Sequence, residues 1–114
     1  MSLFPMFLKL TGRLCLVVGA GSVGEAKIRS LLPTGASLRV VAHHATPTVV
    51  NWAESGRIAW EARSFTPADL EGVFLVIAAT SSVEVNDIVF REAQRRGVLC
   101  NAVGICLPGR CPTT

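Results

Sequence analysis

Six residues, Gly19-Ala20-Gly21-Ser22-Val23-Gly24, restrict what this chain can become more than any other stretch. The G-x-G-x-x-G string is common, and its setting gives it weight. It follows a continuous apolar run, Leu14-Cys15-Leu16-Val17-Val18, of the kind a strand buried on both faces presents. It opens a stretch in which Val23, Ala26, Lys27, Ile28, Leu31 and Leu32 fall at helical spacing, ended by Pro33 and Gly35. A strand, a glycine turn and a helix in that order form an anion cradle. Gly19 permits the tight turn, Gly21 lets the backbone approach a pyrophosphate, and Gly24 lets helix and strand pack closely. The amides of Ser22 and Val23 then sit at the positive end of the helix. A strand-to-helix turn with no ligand is the alternative these residues leave open.

The order of the remaining elements predicts the fold. Leu38–Ala42 reads as a second strand, and Pro47–Ser55 as a short helix capped by Thr46 and ended by Gly56. Arg57–Glu61 alternates weakly as a third strand, and Thr66–Leu70 is a capped helical turn. Val73–Ala79 is the strongest strand of the chain. A helix follows, with Val85, Ile88, Val89 and Ala93 on one face and Arg95, Arg96 and Gly97 at its end. Val98–Val103 is the last strand. Alternation of this kind requires a parallel sheet covered on both faces and joined by right-handed crossovers. The prediction is an α/β, Rossmann-like domain over residues 3–103, with about five strands in the order 3-2-1-4-5 and helices on both faces. From Gly104 the pattern stops, and 104–114 reads as an irregular tail.

Composition narrows the function classes. The chain has 114 residues, enough for one domain, and half of them are hydrophobic, enough for a packed core. The net charge is +3, and the arginines are scattered apart from Arg95-Arg96, which argues against nucleic acid as a partner. The longest apolar run, Val73–Ala79, has seven residues against the roughly 18 a membrane helix needs, so no membrane partner is expected. The start, Met1-Ser2-Leu3-Phe4-Pro5, lacks the pattern of a secretory signal. Cys15 and Cys100 lie inside strand-like runs, which fits a cytoplasmic protein with reduced thiols. The spacing of Cys100, Cys106 and Cys111 matches no common zinc pattern and no histidine lies near them, so no metal ligand is assigned.

Other candidates cluster where strands end. An acidic residue for the ribose hydroxyls is expected near the end of the second strand, yet Ala42-His43-His44-Ala45 stands there. His43 and His44 either contact the adenosine end of a dinucleotide, or favour a 2′-phosphate when protonated, or are loop histidines facing solvent. Local chemistry leaves NAD and NADP open. After the fourth strand, Thr80 and Ser81, with Ser82, either reach the cofactor near the nicotinamide ribose or cap the next helix. Asn86, one turn into that helix, faces either the site or solvent.

Taken together these residues resemble a known family: the N-terminal domain of siroheme synthase and its stand-alone relatives, precorrin-2 dehydrogenase/sirohydrochlorin ferrochelatase. The resemblance runs from Phe4-Pro5-Met6-Phe7-Leu8-Lys9-Leu10 through Gly12-Arg13, Leu16 to Val23 and Lys27. It continues at Ile77-Ala78-Ala79-Thr80 with Val85-Asn86, and closes at Cys100-Asn101-Ala102-Val103. It implies NAD as cofactor, oxidation of the tetrapyrrole precorrin-2 to sirohydrochlorin, iron insertion in many members, and a homodimer. By position it places Ser22 and Val23 on the pyrophosphate and His43 and His44 on the adenosine side.

Two departures from the family accompany the likeness. Where the family carries an aspartate thought to act as general base, this chain has Gly104, and the last carboxylate in the sequence is Glu92. Loss of a positioned base commonly costs about 10²–10⁴-fold in rate, so no catalytic residue is assigned and activity is in question. The family's dimerisation half is also absent from these 114 residues. A truncated relic, a frame change after Val103, and a dinucleotide-binding module without turnover are the alternatives.

Overall fold

The computed structural model describes residues 11–102. The opening segment at 4–10, Val103 and the tail at 104–114, with Gly104, Cys106 and Cys111, lie outside the described residues.

Five parallel strands form one sheet: β1 (Leu14–Val18), β2 (Ser37–Val41), β3 (Ala59–Glu61), β4 (Leu75–Ala78) and β5 (Leu99–Ala102). Their order is β3-β2-β1-β4-β5, as predicted. Three α-helices, α1 (Ser22–Leu31), α2 (Pro47–Glu54) and α3 (Val83–Arg96), connect them, with short 3-10 turns at Leu32–Thr34 and Pro67–Leu70.

Alternating side chains of the strands feed two separate cores. Cys15 and Val17 of β1, Val40 of β2 and Ile77 of β4 pack with Ile28 and Leu31 of α1 and Val49 of α2. Leu16 and Val18, Val41, and Val76 and Ala78 pack on the opposite face with Val89 and Ala93 of α3 and Leu70. Both faces of β1 and β4 are therefore buried, which is why these strands are written in uninterrupted apolar residues. A single Leu or Ile in such a core contributes about 2–5 kcal/mol relative to Ala.

Local chemistry sets the boundaries. Thr46 caps α2, its hydroxyl accepting from the Val49 amide at 3.2 Å, and Pro47 occupies the first turn. Ser82 caps α3 in the same way through the Val85 amide at 3.2 Å, so that helix starts at Val83, two residues before the apolar pattern begins. β3 is shorter than the expected Arg57–Glu61 because the Arg57 amide is still bonded to the Trp52 carbonyl at the end of α2. The expected apolar face of α3 is also narrower. Val89 and Ala93 are buried and Val85 packs partly buried against the same core, whereas Ile88 is 50% exposed and lines the cleft.

The register positions the site. Val18 stands beside Ala78, so the carboxyl ends of β1 and β4 are adjacent, and the chain leaves them toward opposite faces. This is the crevice at which a doubly wound sheet reverses its strand order. Three main-chain bonds fix its floor: Gly19 N–H to Val41 O at 3.0 Å, Ala79 N–H to Val18 O at 2.8 Å, and Thr46 N–H to Ala20 O at 3.0 Å.

Candidate functional site

Each glycine of the loop meets a different neighbour. Gly19 has φ +110°, a conformation side chains rarely adopt, and a Cβ there would stand 2.6 Å from the Ala79 carbonyl oxygen. Gly24 lies directly over Gly19, and a Cβ would stand 2.2 Å from the Gly19 oxygen. Both are glycine so that β1, β4 and α1 can touch. Gly21 differs. Its backbone, at φ −79° and ψ −159°, is open to any residue, and an added Cβ meets nothing within 4 Å. The space above Gly21 faces the crevice and is open among the described residues.

Gly21 is also the N-cap of α1, and no side chain caps that helix, in contrast to Thr46 on α2 and Ser82 on α3. The first intrahelical bond runs from the Glu25 amide to the Gly21 carbonyl at 2.8 Å. The amides before it, of Ser22, Val23 and Gly24, point out of the helix start, where the macrodipole is positive. Glu25, in the same turn, is held ionised: the Thr46 hydroxyl and then Arg29 lower its pKa. It does not line the crevice.

The crevice is a cleft of about 540 Å³. Gly19, Gly21, Ser22 and Val23 form one wall, and His43 and His44 follow at the end of β2. Thr80 and Ser81 stand on the opposite side after β4. Eight of the nine sequence-predicted residues therefore line one cavity, while Gly24 sits buried beneath it. Val85 and Ile88 of α3 give it an apolar side.

Thr80 and Asn86 are committed to the loop itself. Asn86 is buried, and its Oδ1 accepts from the Thr80 amide at 3.1 Å and the Thr80 hydroxyl at 2.7 Å. Its Nδ2 donates to the Thr80 carbonyl at 3.0 Å. The Thr80 hydroxyl oxygen also accepts from the Ser82 amide at 3.1 Å. Thr80 thus shapes the far wall, and the exposed Ser81 presents the hydroxyl available to a ligand. Ser82 caps α3.

Sequence reasoning missed a third participant, the loop after β3. Arg63, Ser64 and Phe65 line the cleft beside the histidines, and the Ser64 hydroxyl lies 2.7 Å from His43 Nε2. Arg63 is fixed from behind. Its Nη1 and Nη2 donate to the buried Asp69 carboxylate at 2.9 and 2.6 Å, its Nε to Glu61 at 2.8 Å, and Nη1 also to the Ser64 carbonyl at 3.1 Å. The guanidinium lowers the Asp69 pKa against the opposing effect of burial, with the Thr66 amide assisting at 2.8 Å. Asp69 in turn raises the Arg63 pKa. The strand order held the missing signal: once β3 is an edge beside β2, its carboxyl end shares the crevice.

Cys100, half-buried against the second core, has its thiol pushed up to about 11 by burial, and burial also raises Cys15. Neither cysteine is positioned for chemistry in the cleft. No group of three or more His, Cys, Asp or Glu among the described residues could hold a metal ion.

The family model NAD_binding_7, described as "Putative NAD(P)-binding", matches residues 6–110. The chain belongs to this NAD(P)-binding family. The siroheme synthase of Chromobacterium violaceum is 45% identical over 103 residues, which are 90% of this chain and 22% of that protein. The siroheme synthase of Methylobacillus flagellatus is 46% identical with the same coverage. The resemblance to the siroheme synthase and precorrin-2 dehydrogenase family stands on these matches, and the chain spans about a fifth of the length of those relatives. Among solved structures, SirC, a precorrin-2 dehydrogenase, superposes with a TM-score of 0.78 at 28% identity, covering 86% of this chain and 48% of SirC. A shikimate dehydrogenase from Aquifex aeolicus, at 17% identity and a TM-score of 0.54 over 82% of this chain and 43% of that one, shares the fold alone.

Proposed function

We propose that this NAD(P)-binding domain holds NAD in the cleft and serves the oxidation of the tetrapyrrole precorrin-2 to sirohydrochlorin. The observation that carries the reading is the uncapped start of α1 at Gly21, facing an open cleft where β1 and β4 diverge. A diphosphate is the group such a start accepts, because unpartnered amides and the helix dipole both favour an anion. The residues fit the cofactor from end to end. Ser22 and Val23 lie at the diphosphate, His43 and His44 at the adenosine, and Ser81 toward the nicotinamide, with Thr80 shaping the wall. Gly19 and Gly24 hold the loop close to the sheet. The cofactor supplies hydride acceptance when bound, and the chain's part is to bind and orient it. The tetrapyrrole substrate is supported by the siroheme synthases and by SirC.

One observation favours a second reading, binding without turnover. The titratable side chains lining the cleft are His43, His44 and Arg63, and no carboxylate joins them among the described residues. The proton that leaves with the hydride thus has no carboxylate there to accept it, and Gly104 lies outside the described residues. Two measurements separate the readings. Calorimetric titration with NAD is expected to give one site per chain, and failure to bind overturns both. Precorrin-2 oxidation is then assayed with NAD: turnover near that of SirC supports the enzyme and overturns a binding-only module.

Ferrochelation, the homodimer and a cytoplasmic location are further parts of the proposal. No helix among the described residues is long and apolar enough to cross a membrane. Leu99, 45% exposed on the edge strand β5, supplies an apolar contact for a second copy. Sedimentation showing a monomer at all concentrations would overturn the dimer.

A further inference from the structure

We propose that the adenosine end of the cleft accepts a 2′-phosphate, so that this chain binds NADP as tightly as NAD. The inference rests on the dinucleotide reading above and goes past it to the selection of the cofactor. In folds of this kind a carboxylate at the end of the second strand binds the ribose hydroxyls and repels a 2′-phosphate, whereas a nearby arginine accommodates one. Here β2 ends in Val41 and is followed by Ala42, His43 and His44, so the repelling group is missing. The nearest acids, Glu61 and Asp69, do not line the cleft. Both are bonded to Arg63, which does line it.

The donors facing the ribose are preassembled. Arg63 is held by two carboxylates and by the Ser64 carbonyl, so little side-chain entropy is left to lose when an anion arrives. Four N–H groups of the guanidinium are used in these bonds, and the fifth, on Nη2, is available. Ser64 and His43 are already paired at 2.7 Å, one donating to the other, which leaves one donor of the neutral pair for a phosphate oxygen: the Ser64 hydroxyl or the His43 Nδ1–H, according to the tautomer. The two carboxylates offset the charge of Arg63 and limit its pull. The result is acceptance of both dinucleotides rather than exclusion of NAD.

Calorimetric titrations of the whole chain with NAD and with NADP test this, alongside His43→Asp and Ser64→Asp. Both positions are exposed, so the fold tolerates the change, which a melting curve verifies. For the unaltered chain the two dissociation constants are expected within about threefold of one another, and each aspartate is expected to weaken NADP by about tenfold or more relative to NAD. NADP binding tenfold or more weaker than NAD in the unaltered chain overturns the inference and leaves the NAD site standing. An unchanged NADP-to-NAD ratio in both variants also overturns it. Binding of neither dinucleotide overturns the cofactor reading itself, and this inference with it.

Discussion

Asp69 is a carboxylate the chain buries because Arg63 and the Thr66 amide come with it. The pair contributes to stability through the unfolded state as well as the folded one. Arg63 depresses the folded pKa below the value in the unfolded chain, so the unfolded chain binds more protons as the solution becomes acidic. The stabilisation is complete above the unfolded value near 4 and is lost as pH falls through the folded value. Asp69→Asn is expected to cost about 1–3 kcal/mol in urea unfolding at pH 7, with the gap from the unaltered protein closing as pH drops below about 4. A gap independent of pH would show that the ion pair is not its source. At this scale the sequence was only partly legible. The Thr66 cap stood in plain view, because a threonine before a proline at a helical start has a local meaning. The partnership of Arg63 with Asp69 did not, because it depends on how a loop folds back after the edge strand. Asn86 resolved the same way: its spacing allowed site or solvent, and tertiary packing turned it inward to hold Thr80.

Among the elements, the strands were read most accurately where burial on both faces leaves no room for polar residues. β1 matches its expected bounds, and β4 and β5 lie inside theirs. β3 was the weakest, since a three-residue edge strand carries little pattern. Helix α3 shows what periodicity alone misses. Its spacing placed Val85 and Ile88 on the core face: Val85 does pack against the second core while also lining the cleft, whereas Ile88 is half exposed at the cleft. The start of that helix rests on one hydroxyl. Ser82→Ala is expected to lower stability by about 1 kcal/mol, read from the thermal midpoint, and Ser82→Asp to restore it. If alanine were neutral, the Thr80–Asn86 bonds would be sufficient to fix the helix start. The same test applied to α1 has a different expectation, since Gly21 provides no cap to remove.

For the molecule as a whole, strand order, crossover position and cleft followed from element order, because a parallel alternation with right-handed connections leaves few alternatives. The loop after β3 was the exception, and it is the part proposed to read the ribose. A ligand that binds only the folded chain stabilises it by mass action, so NAD at about 100 times its dissociation constant is expected to add about 2.7 kcal/mol, seen as a raised thermal midpoint that grows with concentration. The central claim is narrower: a diphosphate lies against the backbone of Gly21, in space left open among the described residues. Titrating NAD into Gly21→Ala and Gly24→Ala, with a melting curve for each, tests it most directly. The account predicts that Gly21→Ala melts like the unaltered chain and binds NAD about tenfold or more weakly, a loss of about 1.4 kcal/mol or more. Gly24→Ala, whose methyl would collide with the Gly19 carbonyl, is predicted to lose stability first. Undiminished NAD affinity in a well-folded Gly21→Ala would contradict the account.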